Sequence, residues 1–334
     1  MPVIFDCSFI KEQWKKDLIK SLKRSFPRSL LISTGNFHSD FSALRLAHRN
    51  NPTATIVYLS DYDCPDVLAF RHRVKKSGKA KQIAFNHGFT FNGFETPMPN
   101  ASLEYERRII ASVDLMCFNS NFAYRTMQER HEVSTKNSVV LGLPVHTKFP
   151  KTVFGSRSGF LIASRFTEVK NRNLIIAFAE MCVEKRKPLT ILAKNKYNKN
   201  DHREQRKIRA ALAYLRYLAD KSDLIWLKEN APRRTYLSCM VKASAFVGFP
   251  AIDTLNITMV EAAMAKTLPI FPNKAPYNEF IPENCLYRPY DLSHIFEIEK
   301  SVKRSDESTY GYAASFTPEA FESSVKEAFC DFIR

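Results

Sequence analysis

Ten short runs rich in β-branched and large apolar residues alternate along this chain with longer helix-patterned segments, and no other feature narrows the possible folds as much. In the first half the runs are SLLIST (29–34), TIVYLS (55–60), QIAFNH (82–87), DLMCFN (114–119) and SVVLGL (138–143). Helical patterns accompany them at 11–24, 39–49, 101–112 and 121–131. The stretch PVHTKFPKTVFGSRSG (144–159) breaks the rhythm with Pro, Gly and Ser and reads as a linker. Alternation then resumes with GFLIAS (159–164), PLTILAK (188–194), DLIWLK (223–228), AFVGFP (245–250) and LPIFP (268–272). Helices are expected from about 172, over 203–220, near 233–241 and around Glu261. Such alternation predicts an α/β fold with parallel sheets covered by helices on both faces. The 334 residues suit two domains. We place them at 1–148 and 149–315, with an amphipathic terminal helix, 316–334, expected to cross back to the first domain. In doubly wound folds the ligand sits beyond the carboxyl ends of the strands, so the turns leaving those strands are where chemistry is sought.

One such turn follows the strand at 159–164. There Arg165 leaves the strand and Lys170 follows five residues later, just before a helix with apolar residues at 174, 175 and 178. Two cations beside a helix start are either a cradle for a diphosphate or an ordinary solvated turn. A second turn, AIDTLNITMVEAAMAK (251–266), favours the cradle. Thr258 is expected to cap a helix over 259–266, so the amides of Asn256, Ile257 and Thr258 would point outward where the dipole favours an anion. Asp253 and Glu261 flank that helix start, and carboxylates repel free phosphate while accepting hydrogen bonds from hydroxyl groups. A ligand carrying both a diphosphate and sugar hydroxyls suits these groups; the other reading is a capped helix whose two acids are simply solvated.

The order SRFTEVKN, then DLIWLKENAPRRTYLSCMVKASAFVGFPAIDTLNITMVEAAMAKTLPIF, resembles the donor domain of retaining GT-B glycosyltransferases. Usable motifs span roughly 110–280 and include CFNSNFAYRTMQER and GLPVHTKF. The resemblance implies two Rossmann-like domains facing across a cleft, the first for the acceptor and the second for a nucleoside-diphosphate sugar, expected to be a UDP-sugar. It implies that Arg165 and Lys170 contact the diphosphate, that amides of Asn256 to Thr258 bind phosphate, that Asp253 contacts the transferred sugar, and that Glu261 holds the ribose. It also implies a retaining mechanism in which no metal or other cofactor is required. His87, at the end of a strand in the first domain, is either a loop residue or faces the donor sugar, where it would position rather than act as a general base. The sequence departs from the family pattern in three places: Asp253 replaces a commoner Glu, TLN stands where Gly-Phe-Gly is frequent, and Lys266 stands where Gly is usual. STGNFHSD (33–40) is the only candidate for the family's N-terminal Gly-rich loop.

Asp61 and Asp63, in SDYDCPD, imitate the metal-binding D-x-D of a different fold, but read better as a turn rich in capping residues. Seven cysteines are spread singly, which argues against a zinc site or disulfide framework and for a reducing, cytoplasmic setting, the host cytoplasm if the protein is viral. No apolar run is long enough for a membrane span, and the first twenty residues do not read as a secretory signal.

The acceptor is approached through charge. The net charge is +16, with 21 basic and 13 acidic residues in 1–150 and 29 and 21 in 151–334, so no tail explains it. Clusters stand at 11–28, which includes Lys15 and Lys16, and at 71–81, with Arg71, Arg73, Lys75, Lys76 and Lys79; a third spans 194–209. Each is either a solvated helix face or part of a polyanion-binding surface. The expected partner is duplex DNA, with a hydroxymethylated base as acceptor, the kind of modification bacteriophages make, and the protein is expected to be a monomer. Two alternatives stay open: a lipid-linked or polysaccharide acceptor at an anionic membrane surface, and a non-catalytic nucleic-acid-binding protein with the same shell.

Overall fold

The computed structural model describes residues 2–5, 13–34, 36–59, 65–86, 100–131, 137–150, 157–194, 202–251, 253–303, 305–330 and 332. The chain forms two compact units, one from Met1–His146 together with Ser315–Arg334 and the other from Thr147–Ala314. Among the described residues no helix is long and apolar enough to cross a membrane.

In the first unit, β1 (Val3–Phe5), β2 (Leu30–Ile32), β3 (Ile56–Tyr58), β4 (Gln82–Asn86), β5 (Leu115–Phe118) and β6 (Ser138–Val140) form a parallel sheet in the order β2-β1-β3-β4-β5-β6. The helices α1 (Gln13–Ser25), α2 (Phe37–Asn50), α3 (Pro65–Ser77), α4 (Asn100–Ala111) and α5 (Asn121–His131) connect its strands. Strands β1, β3 and β5 are buried at every residue, as expected where helices cover both faces of a parallel sheet. Strand β1 lies inside the sheet although three residues are too few to show a period, and the sequence pattern did not reveal it.

The second unit repeats the plan. Its strands are β7 (Phe160–Arg165), β8 (Leu189–Lys194), β9 (Ile225–Glu229), β10 (Ala245–Val247), β11 (Leu268–Pro272) and β12 (Leu286–Tyr287). They pair in parallel in the order β12-β11-β10-β7-β8-β9. Helices α6 (Arg172–Glu184), α7 (His202–Lys221), α8 (Arg233–Lys242), α9 (Ile257–Met264) and α10 (Leu292–Ser301) complete it. The two-residue β12 and the helix α10 are further elements that the sequence pattern did not show.

The last helix, α11 (Pro318–Phe329), belongs to the first unit. Thr317 caps it by accepting from the Ala320 amide at 3.3 Å, and Pro318 fills the first helical position, where its missing N–H costs nothing. Phe321, Val325 and Phe329 form its buried stripe. Phe329 stacks on Phe26 at 6.0 Å between ring centres and meets Phe85 at 6.2 Å. The Thr55 hydroxyl donates to the Phe332 carbonyl at 2.5 Å, beyond the helix end.

Candidate functional site

The carboxyl ends of β7, β8 and β10 open on a pocket of about 490 Å³ built wholly from the second unit. Strand β7 delivers Arg165 to its edge, and the strand register sets Lys194 of β8 directly beside it. After β7 the chain makes a single 3-10 turn, Glu168–Lys170, and Asn171 adopts a left-handed conformation (φ 48°) to redirect it into α6. Asparagine tolerates that conformation better than most side chains. Lys170 is thereby turned into the pocket.

Opposite this turn the segment after β10 brings up Asp253. One of its oxygens, Oδ2, receives the Lys170 ammonium at 2.8 Å, the Asn256 amide at 3.1 Å and the Tyr277 hydroxyl at 3.4 Å. The Ala251 amide donates to the Val169 carbonyl at 3.0 Å, tying the two turns together through backbone as well. Burial, and then the Asp253 charge, raises the Tyr277 hydroxyl well above the usual phenol range, so it remains a donor.

Helix α9 begins at the pocket. Its cap is Asn256, whose Oδ1 accepts from the amides of Thr258 at 3.0 Å and Met259 at 3.4 Å. This corrects the expectation of a Thr258 cap and a helix over 259–266: Thr258 is already helical, its hydroxyl donates to the same Asn256 oxygen, and the helix spans Ile257–Met264. An asparagine side chain reaches the second and third helical amides, and so sets the helix start at Ile257. Asn256, Ile257 and Thr258 all line the pocket beside the positive end of α9.

Glu261 lies behind the pocket wall, 1% exposed. The Thr147 hydroxyl donates to its Oε1 at 2.7 Å, the Tyr236 hydroxyl to its Oε2 at 2.6 Å, and Arg233 reaches both oxygens, with Nη1 to Oε2 at 3.1 Å. Burial, followed by the Glu261 charge, pushes the Tyr236 hydroxyl well above its ordinary value. Arg233 and Tyr236 line the pocket in front of this acid. The lining as a whole carries four cations, Arg165, Lys170, Lys194 and Arg233, and one acid, Asp253.

The structure thus gathers Arg165, Lys170, Asp253, Asn256, Ile257 and Thr258 around one cavity and sets Glu261 behind it. His87 lies outside the described residues, as do Asp61 and Asp63. Sequence reasoning missed Lys194 and Arg233 as pocket residues. Lys194 ends a strand just as Arg165 does, so the carboxyl-end rule identifies it; Arg233 opens the helix that follows β9.

The basic residues singled out in the first unit separate into three groups: buried, paired and exposed. Arg71 is 2% exposed and stacks on Tyr58 with its guanidinium carbon 3.9 Å from the ring centre; Lys15 is also buried, 5.2 Å from the Trp14 ring centre. Both are withdrawn from the polyanion surface expected of them, because the apolar face of each helix turns them inward. Lys75 is held by Asp114 and by the Val113 carbonyl at 3.0 Å. Lys16, Arg73, Lys76 and Lys79 are exposed. In STGNFHSD, Asn36 caps α2 and the buried Asp40 accepts from the Thr34 amide at 2.9 Å, which makes the segment a capped helix start.

The floor of the site depends on Gly248, after β10. A β-carbon there would stand 2.2 Å from Phe271, whose ring is wedged between Phe246 at 5.8 Å and Tyr277 at 5.0 Å. Displacing Phe271 displaces Tyr277, and with it a donor to Asp253. We expect Gly248→Ala to cost about 1–3 kcal/mol of stability through overpacking. Thermal melting, followed by ligand titration at a temperature where the variant is folded, checks both effects; unchanged melting would show that Phe271 yields freely.

No family model and no curated protein sequence matches the chain. Its fold is shared with solved structures. A glycosyltransferase from Rickettsia africae ESF-5 aligns over 100% of this chain and 99% of its own, with a TM-score of 0.71 and 13% identity. A UDP-forming α,α-trehalose-phosphate synthase from Burkholderia xenovorans aligns over 89% and 80%, with a TM-score of 0.63 and 14% identity. The pneumococcal O-GlcNAc transferase GtfA, solved with UDP and GlcNAc, aligns over 90% of this chain and 61% of its own, with a TM-score of 0.64 and 14% identity. At such identities the likeness is one of fold: two parallel six-stranded sheets with helices, the GT-B architecture.

Proposed function

We propose that this protein is a glycosyltransferase that moves a sugar from a UDP-sugar to a hydroxyl acceptor with retention of configuration. The observation that carries the reading is the pocket itself, where four cations and the start of α9 surround one carboxylate at the carboxyl ends of parallel strands. That balance suits a diphosphate joined to a hydroxyl-rich group. The trehalose-phosphate synthase of similar fold is UDP-forming, and GtfA was solved with UDP, which supports UDP as the carrier.

In this reading the bond between the sugar's anomeric carbon and the diphosphate oxygen breaks as the acceptor oxygen bonds to the same face of that carbon. The acceptor proton passes to the departing phosphate, so UDP leaves as product. Arg165, Lys170 and the amide of Ile257, the first of α9 that the Asn256 cap leaves unused, stabilise charge where it grows, and Asp253 orients the sugar hydroxyls.

The acceptor we propose is a hydroxymethylated base in duplex DNA. The net charge of +16 and the exposed Lys16, Arg73, Lys76 and Lys79 support it. Four phosphate contacts correspond to roughly a hundredfold loss of DNA affinity between 50 and 200 mM salt. Incubation with a panel of nucleotide sugars and hydroxymethylcytosine-containing duplex DNA, reading released UDP and DNA mass, tests the whole proposal. Release of UDP with an unmodified duplex under every salt condition would remove DNA as acceptor and leave the transferase. Absence of nucleotide-sugar binding alongside salt-sensitive DNA binding would select a non-catalytic protein instead.

A further inference from the structure

Glu261 has no acceptor position left for a ligand. A carboxylate offers about four lone-pair sites, and Thr147, Tyr236 and the two Arg233 nitrogens take them all. In front of it stands Arg233, the first residue of α8, with its side chain 43% exposed and turned to the pocket. A cation at a helix N-terminus works against the dipole, so something must hold it there. Glu261 does so from behind, Thr147 accepts a further bond from Arg233 at 2.9 Å, and the guanidinium sits 4.9 Å from the Tyr236 ring centre.

We propose that Arg233 is the ligand-facing residue of this corner of the pocket and that Glu261, with Thr147 and Tyr236, positions it. The inference rests on the reading that the pocket takes a nucleoside diphosphate. Guanidinium is a donor only, so the part of the nucleotide it meets presents an oxygen acceptor, a carbonyl, hydroxyl or phosphate oxygen, rather than an amino group. The competing account is that Arg233 only neutralises a buried acid. The two accounts part when both charges are removed together.

The experiment compares wild-type protein with Arg233→Met, Glu261→Gln, Arg233→Met/Glu261→Gln and Arg233→Lys, measuring UDP affinity by titration calorimetry and melting temperature without ligand. Arg233→Met is expected to melt lower, because the buried acid loses its partner, and to bind UDP at least about tenfold more weakly, the size of one charge-assisted hydrogen bond. The double variant is expected to regain melting temperature and not affinity, and Glu261→Gln to add no further loss of affinity once Arg233 is gone. Arg233→Lys is expected to recover part of the binding. A double variant that binds UDP like wild type, or an Arg233→Met protein that does, overturns the assignment. A further loss from Glu261→Gln in the Arg233→Met background also overturns it, because it would place the acid against the ligand. Wild-type protein that binds none of UDP, ADP, GDP, CDP or inorganic pyrophosphate removes the nucleotide reading and this inference together; binding indifferent to Arg233 removes this inference alone.

Discussion

Replacing Lys170 by alanine is expected to lower kcat/KM for sugar transfer by about 10²–10³, the usual cost of deleting one donor aimed at developing charge. The fold should survive. Asp253 keeps Asn256 and Tyr277 as donors after the ammonium is gone, so its carboxylate is not left without partners. Lys170→Arg should restore part of the rate, since charge is kept while the reach changes. The companion variant Asp253→Asn separates two roles of the same pair. Without the carboxylate, Lys170 is released to the diphosphate and repulsion between acid and phosphate disappears, so UDP should bind more tightly while turnover of the UDP-sugar falls. Near-normal rates in both variants would remove the pair from the chemistry; weaker UDP binding by Asp253→Asn would show that the acid organises the pocket instead of opposing the phosphates.

The largest effect on stability is expected at Gly159. It has a positive φ of 66°, and a β-carbon there would stand 2.4 Å from the Pro188 carbonyl oxygen and 2.9 Å from its Cβ. The clash is with backbone that cannot move aside, because the same Pro188 carbonyl accepts from the Phe160 amide at 2.8 Å and aligns β7 with β8. The Gly159 carbonyl in turn accepts from the Ser244 amide at 2.9 Å, at the start of β10. Three strands therefore register against one residue without a side chain. Gly159→Ala should cost about 1–2 kcal/mol for the left-handed backbone and about 1–3 kcal/mol more for overpacking. Gly78 supplies the control. Its φ is 65° but nothing lies within 4 Å of the place a methyl group would take, so Gly78→Ala should show the conformational part alone. Equal melting shifts in the two variants would show that the contact with Pro188 relaxes.

Legibility followed the length of each signal. Strands of six residues with apolar continuity, such as β7 and β8, were readable, whereas β1 and β12 owe their place to neighbours rather than to any pattern of their own. The Arg165–Lys170 turn and the segment from Asp253 to Thr258 were legible as parts of one site because both follow strands that end on the same edge. Arg71 was not legible as a core residue. A basic run looks solvated until the helix phase and the aromatic partner, Tyr58, are known. The same limit hid the contact between Arg233 and Glu261, which are 28 residues apart in sequence, so no local spacing joins them. The cap of α9 was misplaced by two residues because Asn256 and Thr258 are both good caps, and only the backbone angles of Asn256 decide between them.

The chain order of the first unit has a consequence for how the polypeptide is made. Its sheet emerges first from the ribosome, but α11, which covers Phe26 and Phe85, is translated only after residues 147–314 have passed. At ordinary elongation rates that interval is roughly ten to thirty seconds. During it the N-terminal half presents uncovered phenylalanines to the cell, while the contiguous second unit has every segment it needs to close. A nascent chain halted before Ser315 therefore holds every segment of the second unit but lacks the helix that covers Phe26 and Phe85 in the first.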